Sequence, residues 1–406
     1  MHDPDYNQVI PTHVPPALVH DHNVFDYESR DPFLAVNDLF EKGVPEIFWT
    51  RNNGGHWIVM GAEATTQLGA DAALFSSTRL MVPDHANADT ASFIPLTSDP
   101  PIHKQYRGVI APLFAPPRIA LVEESIREKT DSLIDEVLRR GECEFMEDFA
   151  SQMPVVVFLR LLDLPLTDRG RLLNLAHRVL YPVDDGHYAK PLQELTEYLR
   201  PIVAGRMENP GKDIISYIVS QNFEVAGRSL LLQEMLQLCT SVLIAGLDTV
   251  VSMLGFFAHY LAENPNERRR LREQPEMLKR AIEEVLRRFP VSNIGRMVME
   301  DTVFRGVTMK KGDHIMWPVG MYNFDKRRYP DPMTVDLDRK RPPHATFGTG
   351  EHFCVGSLLA RAEMRIFGER WLERVPEFHV KPGAKIKYRG GFNINYKELP
   401  LVIGPA

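Results

Sequence analysis

Residues 347–356 read Phe347-Gly348-Thr349-Gly350-Glu351-His352-Phe353-Cys354-Val355-Gly356, a glycine-rich loop that delivers one cysteine just before a helical-looking run from Ser357 to Trp371. Glycine at 348, 350 and 356 removes side chains around the sulfur and lets a flat group approach it. Backbone N–H groups of such a loop, and the start of the following helix, favour an anionic sulfur. A thiolate presented this way suits metal ligation. Taken alone, a single cysteine in a glycine-rich loop is equally well explained as a buried or mildly reactive thiol, so the surrounding chain must decide.

The 406 residues are 44% hydrophobic and 25% charged, ordinary globular values that allow a large core and exclude broad disorder. Lys and Arg number 47 against 54 Asp and Glu, a net charge of −7 that argues against a nucleic-acid binder. Cys143, Cys239 and Cys354 are too scattered for a disulfide framework or a paired-cysteine zinc site, so a reducing cytoplasm is expected. The first sixteen residues place acids and prolines where an export signal needs a basic and then an apolar stretch. Residues 235–262 are apolar enough to span a bilayer, but they contain Asp248, Gln237 and His259. They read as a buried helix, with no membrane partner.

With no internal repeat or flexible linker, the chain is expected to be one domain, 1–406, β-richer over about 1–90 and helix-rich beyond. Asp31-Pro32 is an N-cap followed by a first-turn proline, opening a helix to Phe40. Residues 46–50 and 56–60 form a hairpin around Arg51-Asn52-Asn53-Gly54-Gly55. Ile119, Val122, Ile126, Leu133 and Val137 space one buried helix face that Gly141 ends. Asn264, Pro265 and Glu267 mark another helix start, and the following Arg268-Arg269-Arg270 fits a solvated helix face more readily than a docking patch and is assigned no role. Short strands return at 296–300, 303–317 and 385–402, giving a mainly α architecture with small, mostly antiparallel sheets.

The cysteine loop resembles that of the cytochrome P450 superfamily, Phe-x-x-Gly-x-[His/Arg]-x-Cys-x-Gly, at Phe347, Gly350, His352, Cys354 and Gly356. The resemblance implies the P450 fold and haem b, iron protoporphyrin IX, with Cys354 as its axial ligand. Glu284-Val285-Leu286-Arg287 matches the family's Glu-x-x-Arg helix motif, a buried ion-pair network rather than a catalytic element. The family's positions for propionate partners fall on Arg107, Arg296 and His352, with His103 a further one. Ala245-Gly246-Leu247-Asp248-Thr249 matches the dioxygen-site element of the long apolar helix. Its small pair implies room beside the helix for dioxygen, with Asp248 and Thr249 relaying protons. The competing reading is structural: Thr249 bonded back to a carbonyl and Asp248 paired for packing.

Closer similarity is to the bacterial camphor-hydroxylating group, through Arg51-x-Asn53-Gly54-Gly55-His56-Trp57-Ile58, Phe93-Ile94-Pro95 and Asp99-Pro100-Pro101. Where that group's camphor hydroxylase has a tyrosine, this chain has Ala91. His85 offers an alternative polar contact, Met81 and Val82 apolar walls, and Ile244, Ala245, Ser292 and Asn393 further pocket positions. The expected substrate is cyclic terpenoid-like or norisoprenoid-like, with at most one carbonyl. The chain lacks a dinucleotide fingerprint and an iron–sulfur cysteine cluster, so electrons are expected from a ferredoxin and an NAD(P)H-dependent ferredoxin reductase. Lys104, Arg107 and Arg361 are the candidate docking cations. Two rival readings are a haem-thiolate peroxygenase using hydrogen peroxide and a non-enzymatic haem sensor or ligand carrier. Neither needs the acid–alcohol pair at 248–249.

Overall fold

The computed structural model describes residues 10–27, 30–82, 93–181, 189–340 and 343–405. Helix dominates. The centre is a 32-residue helix, Leu232–Glu263, buried along most of its length and packed by helices on several sides. By length and composition it could cross a membrane, yet 78% of its most apolar window lies inside the protein. The largest core cluster runs from Val24 to Leu401, so both ends of the chain contribute to it.

The sequence-predicted elements form with local differences. Asp31 caps Pro32–Glu41, its carboxylate accepting from the backbone of Phe33 and Leu34. Ile47–Thr50 and His56–Val59 pair antiparallel, with Asn53, Gly54 and Gly55 all at positive φ in the connection. The single helix expected before Gly141 is two, Pro116–Ala120 and Glu123–Arg140, with the break at Leu121 and Val122. Gly141 adopts the left-handed conformation and its N–H closes on Val137. Asn264 does not cap Pro265–Glu273; its side-chain amide instead donates back to Tyr260 O, finishing the central helix. Arg268 is not on a solvated face either: it is 3% exposed and donates to the carbonyls of Leu261 and Phe378.

The largest sheet has five strands in the order Ile47–Thr50, His56–Val59, His314–Pro318, Asn293–Val298, Phe75–Ser76. Its pairings are antiparallel except His56–Val59 with His314–Pro318, which run parallel. The remaining sheets have two or three antiparallel strands. The N-terminal β region is therefore completed by strands more than two hundred residues later. That pairing carries Arg296 to the neighbourhood of the cysteine loop.

Candidate active site

Cys354 lies between the short turn Gly350–His352 and the helix Ser357–Arg374. Its N–H donates to Phe347 O at 2.8 Å, closing the loop, and the N–H groups of Gly356 and Ser357 point at its sulfur. The cysteine has accessible surface but is ringed by protein, so poor solvation pushes its thiol up, opposed by those N–H groups and by Arg107 and Arg361. The glycines divide the work differently from the sequence expectation. Gly348 and Gly350 take φ +78° and +66°, and a Cβ on Gly350 would sit 2.7 Å from Gly69 O. A Cβ on Gly356 would come no closer than 3.9 Å, to the sulfur itself. Two glycines thus shape the turn, and close packing against Gly69, rather than clearance around sulfur, fixes position 350. Phe347 closes the loop's side under the Arg361 guanidinium, 4.4 Å from ring centre to Cζ.

The cationic partners converge here. His352 Nε2 is 3.1 Å from Ser77 Oγ, and its ring packs on His103 with centroids 4.1 Å apart. Burial, with Arg296, His103 and Arg107 close by, pushes His352 down to about 3. Arg296 is 4% exposed, donates to Gly295 O and is pushed down to about 10 by burial. Among the described residues no carboxylate comes within ion-pair distance of it. His103 is buried, with Nε2 lacking any hydrogen-bond partner among the described residues and Nδ1 4.0 Å from Glu351. Arg107 donates to Phe353 O and feels the Cys354 sulfur. A buried guanidinium with no ion-paired carboxylate among the described residues, and an orphaned imidazole nitrogen, beside a thiol that keeps accessible surface call for an anionic ligand carrying a metal. Iron protoporphyrin, with two propionates and a thiolate-seeking iron, fits that donor set.

The central helix leaves Ala245 exposed, whereas Gly246 faces Phe158: a Cβ there would lie 2.5 Å from the ring. Room for a small molecule therefore comes from Ala245, and Gly246 is required by the neighbouring helix Met153–Leu161. Thr249 donates to Ala245 O at 3.2 Å. Asp248 is fully buried and points to the far side. Its oxygens accept from Tyr181 at 2.5 Å, Asn393 at 2.9 Å and Asn395 at 3.3 Å, and His177 Nε2 lies at 3.3 Å. Burial would push this carboxyl up, but His177, Tyr181 and Asn393 together hold it below the ordinary carboxylate range. In hydrogen-bonding terms both residues are placed as the structural reading describes, and any relay requires Asp248 to leave these partners.

Ser292 and Asn393 face each other across an isolated β-bridge, with Ser292 Oγ donating to Asn393 Oδ1 at 3.1 Å. Asn393 is thus bonded both to a pocket position and to Asp248. Met81 and Val82 are buried and line a small cavity with Leu80, Met316 and Phe392. Ile244 is buried on the central helix. His85 and Ala91 lie outside the described residues. Sequence reasoning did not single out His177, Tyr181 or Asn395, because no spacing links them to Asp248.

Glu284 and Arg287 form a buried network. Arg287 donates to Glu284 at 2.8 and 2.9 Å and to the carbonyls of Pro332, Thr334 and Asn323. Glu284 also accepts from Arg339 and from Asp336 N. The network ties the helix Leu278–Arg288 to the segment leading into the cysteine loop.

A glycine-shaped cysteine loop, buried cations around it and a long central helix packed on the helix that follows the loop are the features of a haem-thiolate oxidoreductase. The family model described as "Cytochrome P450" matches residues 185–388. "Probable cytochrome P450 127A1" of Sinorhizobium fredii is 33% identical over 94% of both chains. "Linalool 8-monooxygenase" of Pseudomonas putida is 28% identical over 92% of this chain and 99% of its own. The crystal structure of CYP101J2 superimposes with a TM-score of 0.90 at 32% identity, covering 98% of this chain and all of that one. The chain belongs to the cytochrome P450 family: it is a bacterial-type P450 monooxygenase that binds haem b through a cysteine thiolate.

Proposed function

We propose that this P450 hydroxylates a C–H bond of a small, mostly apolar terpenoid-like or norisoprenoid-like molecule in the cytoplasm, with the whole chain acting as one unit. Haem, when bound, supplies dioxygen activation and oxygen insertion. Cys354 ligates its iron, and Phe347, Gly350 and Gly356 hold the loop around that bond. Arg107, Arg296, His352 and His103 hold the propionates, while Glu284 and Arg287 brace the segment leading to the loop. Thr249 and Asp248 bring protons to the reacting oxygen.

The observation that carries the substrate reading is the small, mostly apolar cavity lined by Met81 and Val82 with Leu80, Met316 and Phe392. Such a lining favours burial of hydrocarbon, and the Ser292–Asn393 pair is the polar spot assigned to orient a single oxygen function. Similarity to a linalool monooxygenase along almost the whole chain supports the same substrate class. Substrate-induced spin-state shifts across a panel of terpenoids and norisoprenoids test it, followed by product analysis. Responses confined to fatty acids or polar aromatics would overturn it.

Electrons come from a 2Fe–2S ferredoxin served by an NAD(P)H-dependent reductase. Of the three docking cations, Arg361 is engaged by Glu283 at 2.6 and 2.9 Å and Arg107 by Phe353 O and the propionate role given above, which leaves exposed Lys104. Phe353 and Leu358, both exposed beside the cysteine, add apolar contact area. Turnover with a matched acidic ferredoxin should fall as ionic strength rises; a flat response would refute this surface.

A further inference from the structure

Asp248 is enclosed, so any proton it delivers must first reach it. Of the groups touching its oxygens, the amides of Asn393 and Asn395 do not titrate. Tyr181 is fully buried, and burial followed by the Asp248 charge raises its hydroxyl well above the ordinary range. His177 alone among these four both approaches the carboxylate, at 3.3 Å, and reaches the surface, its side chain being 33% exposed.

The ring's other nitrogen settles its tautomer. Arg389 Nη1 stands 3.3 Å from His177 Nδ1, and a guanidinium can only donate. Nδ1 is therefore the acceptor, and the proton sits on Nε2, facing Asp248. The charged and titratable groups around the ring come from several elements: Asp248 from the central helix, Arg389 from the strand Lys387–Arg389 and Tyr181 from the end of its own helix. The helix Ala189–Glu208 packs alongside, and its Glu194 is engaged by Arg178.

We propose that His177 is the solvent-side proton donor to Asp248, with Arg389 as the positioning residue that sets its tautomer. As Arg389 releases Nδ1, that nitrogen takes a proton from water and the Nε2 proton passes to Asp248 Oδ1. The ring is left neutral, and exchange with water restores the Nε2–H form. One proton moves from solvent to a carboxyl group, with no change in oxidation. This rests on the proton-delivery role proposed above for Asp248.

The test uses the haem-loaded protein with NADH, a bacterial 2Fe–2S ferredoxin and its reductase, and linalool as the bound probe. His177→Gln keeps an N–H donor but cannot carry a proton. It should slow NADH consumption about tenfold, raise the solvent isotope effect and flatten the pH profile, while the ferrous–CO spectrum and melting temperature stay unchanged. The double variant with Asp248→Asn should be no slower than Asp248→Asn alone, because one route is being cut twice. An unchanged His177→Gln rate beside a slowed Asp248→Asn, or additive losses in the double variant, overturns the His177 assignment alone. An unchanged Asp248→Asn rate refutes the delivery role itself. Independently of turnover, 15N NMR of the histidine rings should show a neutral His177 with its proton on Nε2, shifting to a tautomer mixture in Arg389→Met. A ring doubly protonated throughout about pH 6–8 would be a fixed ion pair and would overturn the relay.

Discussion

Replacing Glu284 by glutamine changes one oxygen to an NH2 group at nearly constant volume, so no cavity enters the cost. What it removes is the only carboxylate within hydrogen-bond distance of Arg287 among the described residues. Arg287, 1% exposed, keeps its carbonyl acceptors but loses its counter-charge, and Arg339 loses its Glu284 contact at 3.0 Å. The new amide also points hydrogens toward a guanidinium that can only donate. Removing one member of a buried pair typically costs about 3–5 kcal/mol, a large share of a total stability of roughly 5–15 kcal/mol. At about 2.1 cal/mol/K per residue, unfolding this chain carries an entropy near 0.85 kcal/mol/K, so the melting temperature should fall by about 4–6 °C. Haem should also be lost faster to an acceptor such as apomyoglobin, because the network anchors the segment entering the cysteine loop. Calorimetry and haem-transfer kinetics measure both effects. A change under about 1 kcal/mol with unaltered haem retention would show that the network behaves as a solvent-screened pair, against its burial in the structure.

Thr249→Ala should retain haem and NADH consumption but divert most reducing equivalents to hydrogen peroxide, read as the ratio of peroxide to product; full coupling would reject its proton role. Gly350→Ala meets both a positive φ and Gly69 O at 2.7 Å, so it should destabilise the holoprotein by about 1–3 kcal/mol and raise the haem-free fraction on purification, measured by the Soret-to-protein absorbance ratio. Burial would push Glu283 up, but His344 and Arg361 outweigh it and bring it down to about 2. A depressed folded-state value means that this stabilisation is present above the ordinary carboxylate range, near 4.5, and is lost as pH falls towards 2. Urea midpoints taken from neutral to acid pH should therefore decline less steeply in Glu283→Gln than in the parent, and parallel curves would remove Glu283 from the acid response.

The local elements were legible because their determinants are local. Asp31-Pro32 specifies a helix start through its own carboxylate and φ, and Asn53-Gly54-Gly55 specifies a turn through tolerance of positive φ. Asn264 misled because a side-chain amide can serve either of the two helices it separates, and only packing chose Tyr260 O. Arg268 misled because a basic run gives no sign that one member finds buried carbonyls.

The sequence alone carried the resemblance to the cytochrome P450 family, since the cysteine loop, the Glu284–Arg287 pair and the Asp248–Thr249 pair each lie within a short stretch of chain. Tertiary structure decided what those residues touch. It brought Arg296 beside His352 by pairing strands hundreds of residues apart, turned Gly246 against Phe158, and surrounded Asp248 with Tyr181, Asn393, Asn395 and His177. Periodicity and spacing encode only neighbours along one helix or strand. A buried carboxylate must find its partners wherever the folded chain places donors, and that placement follows from burying the core as a whole.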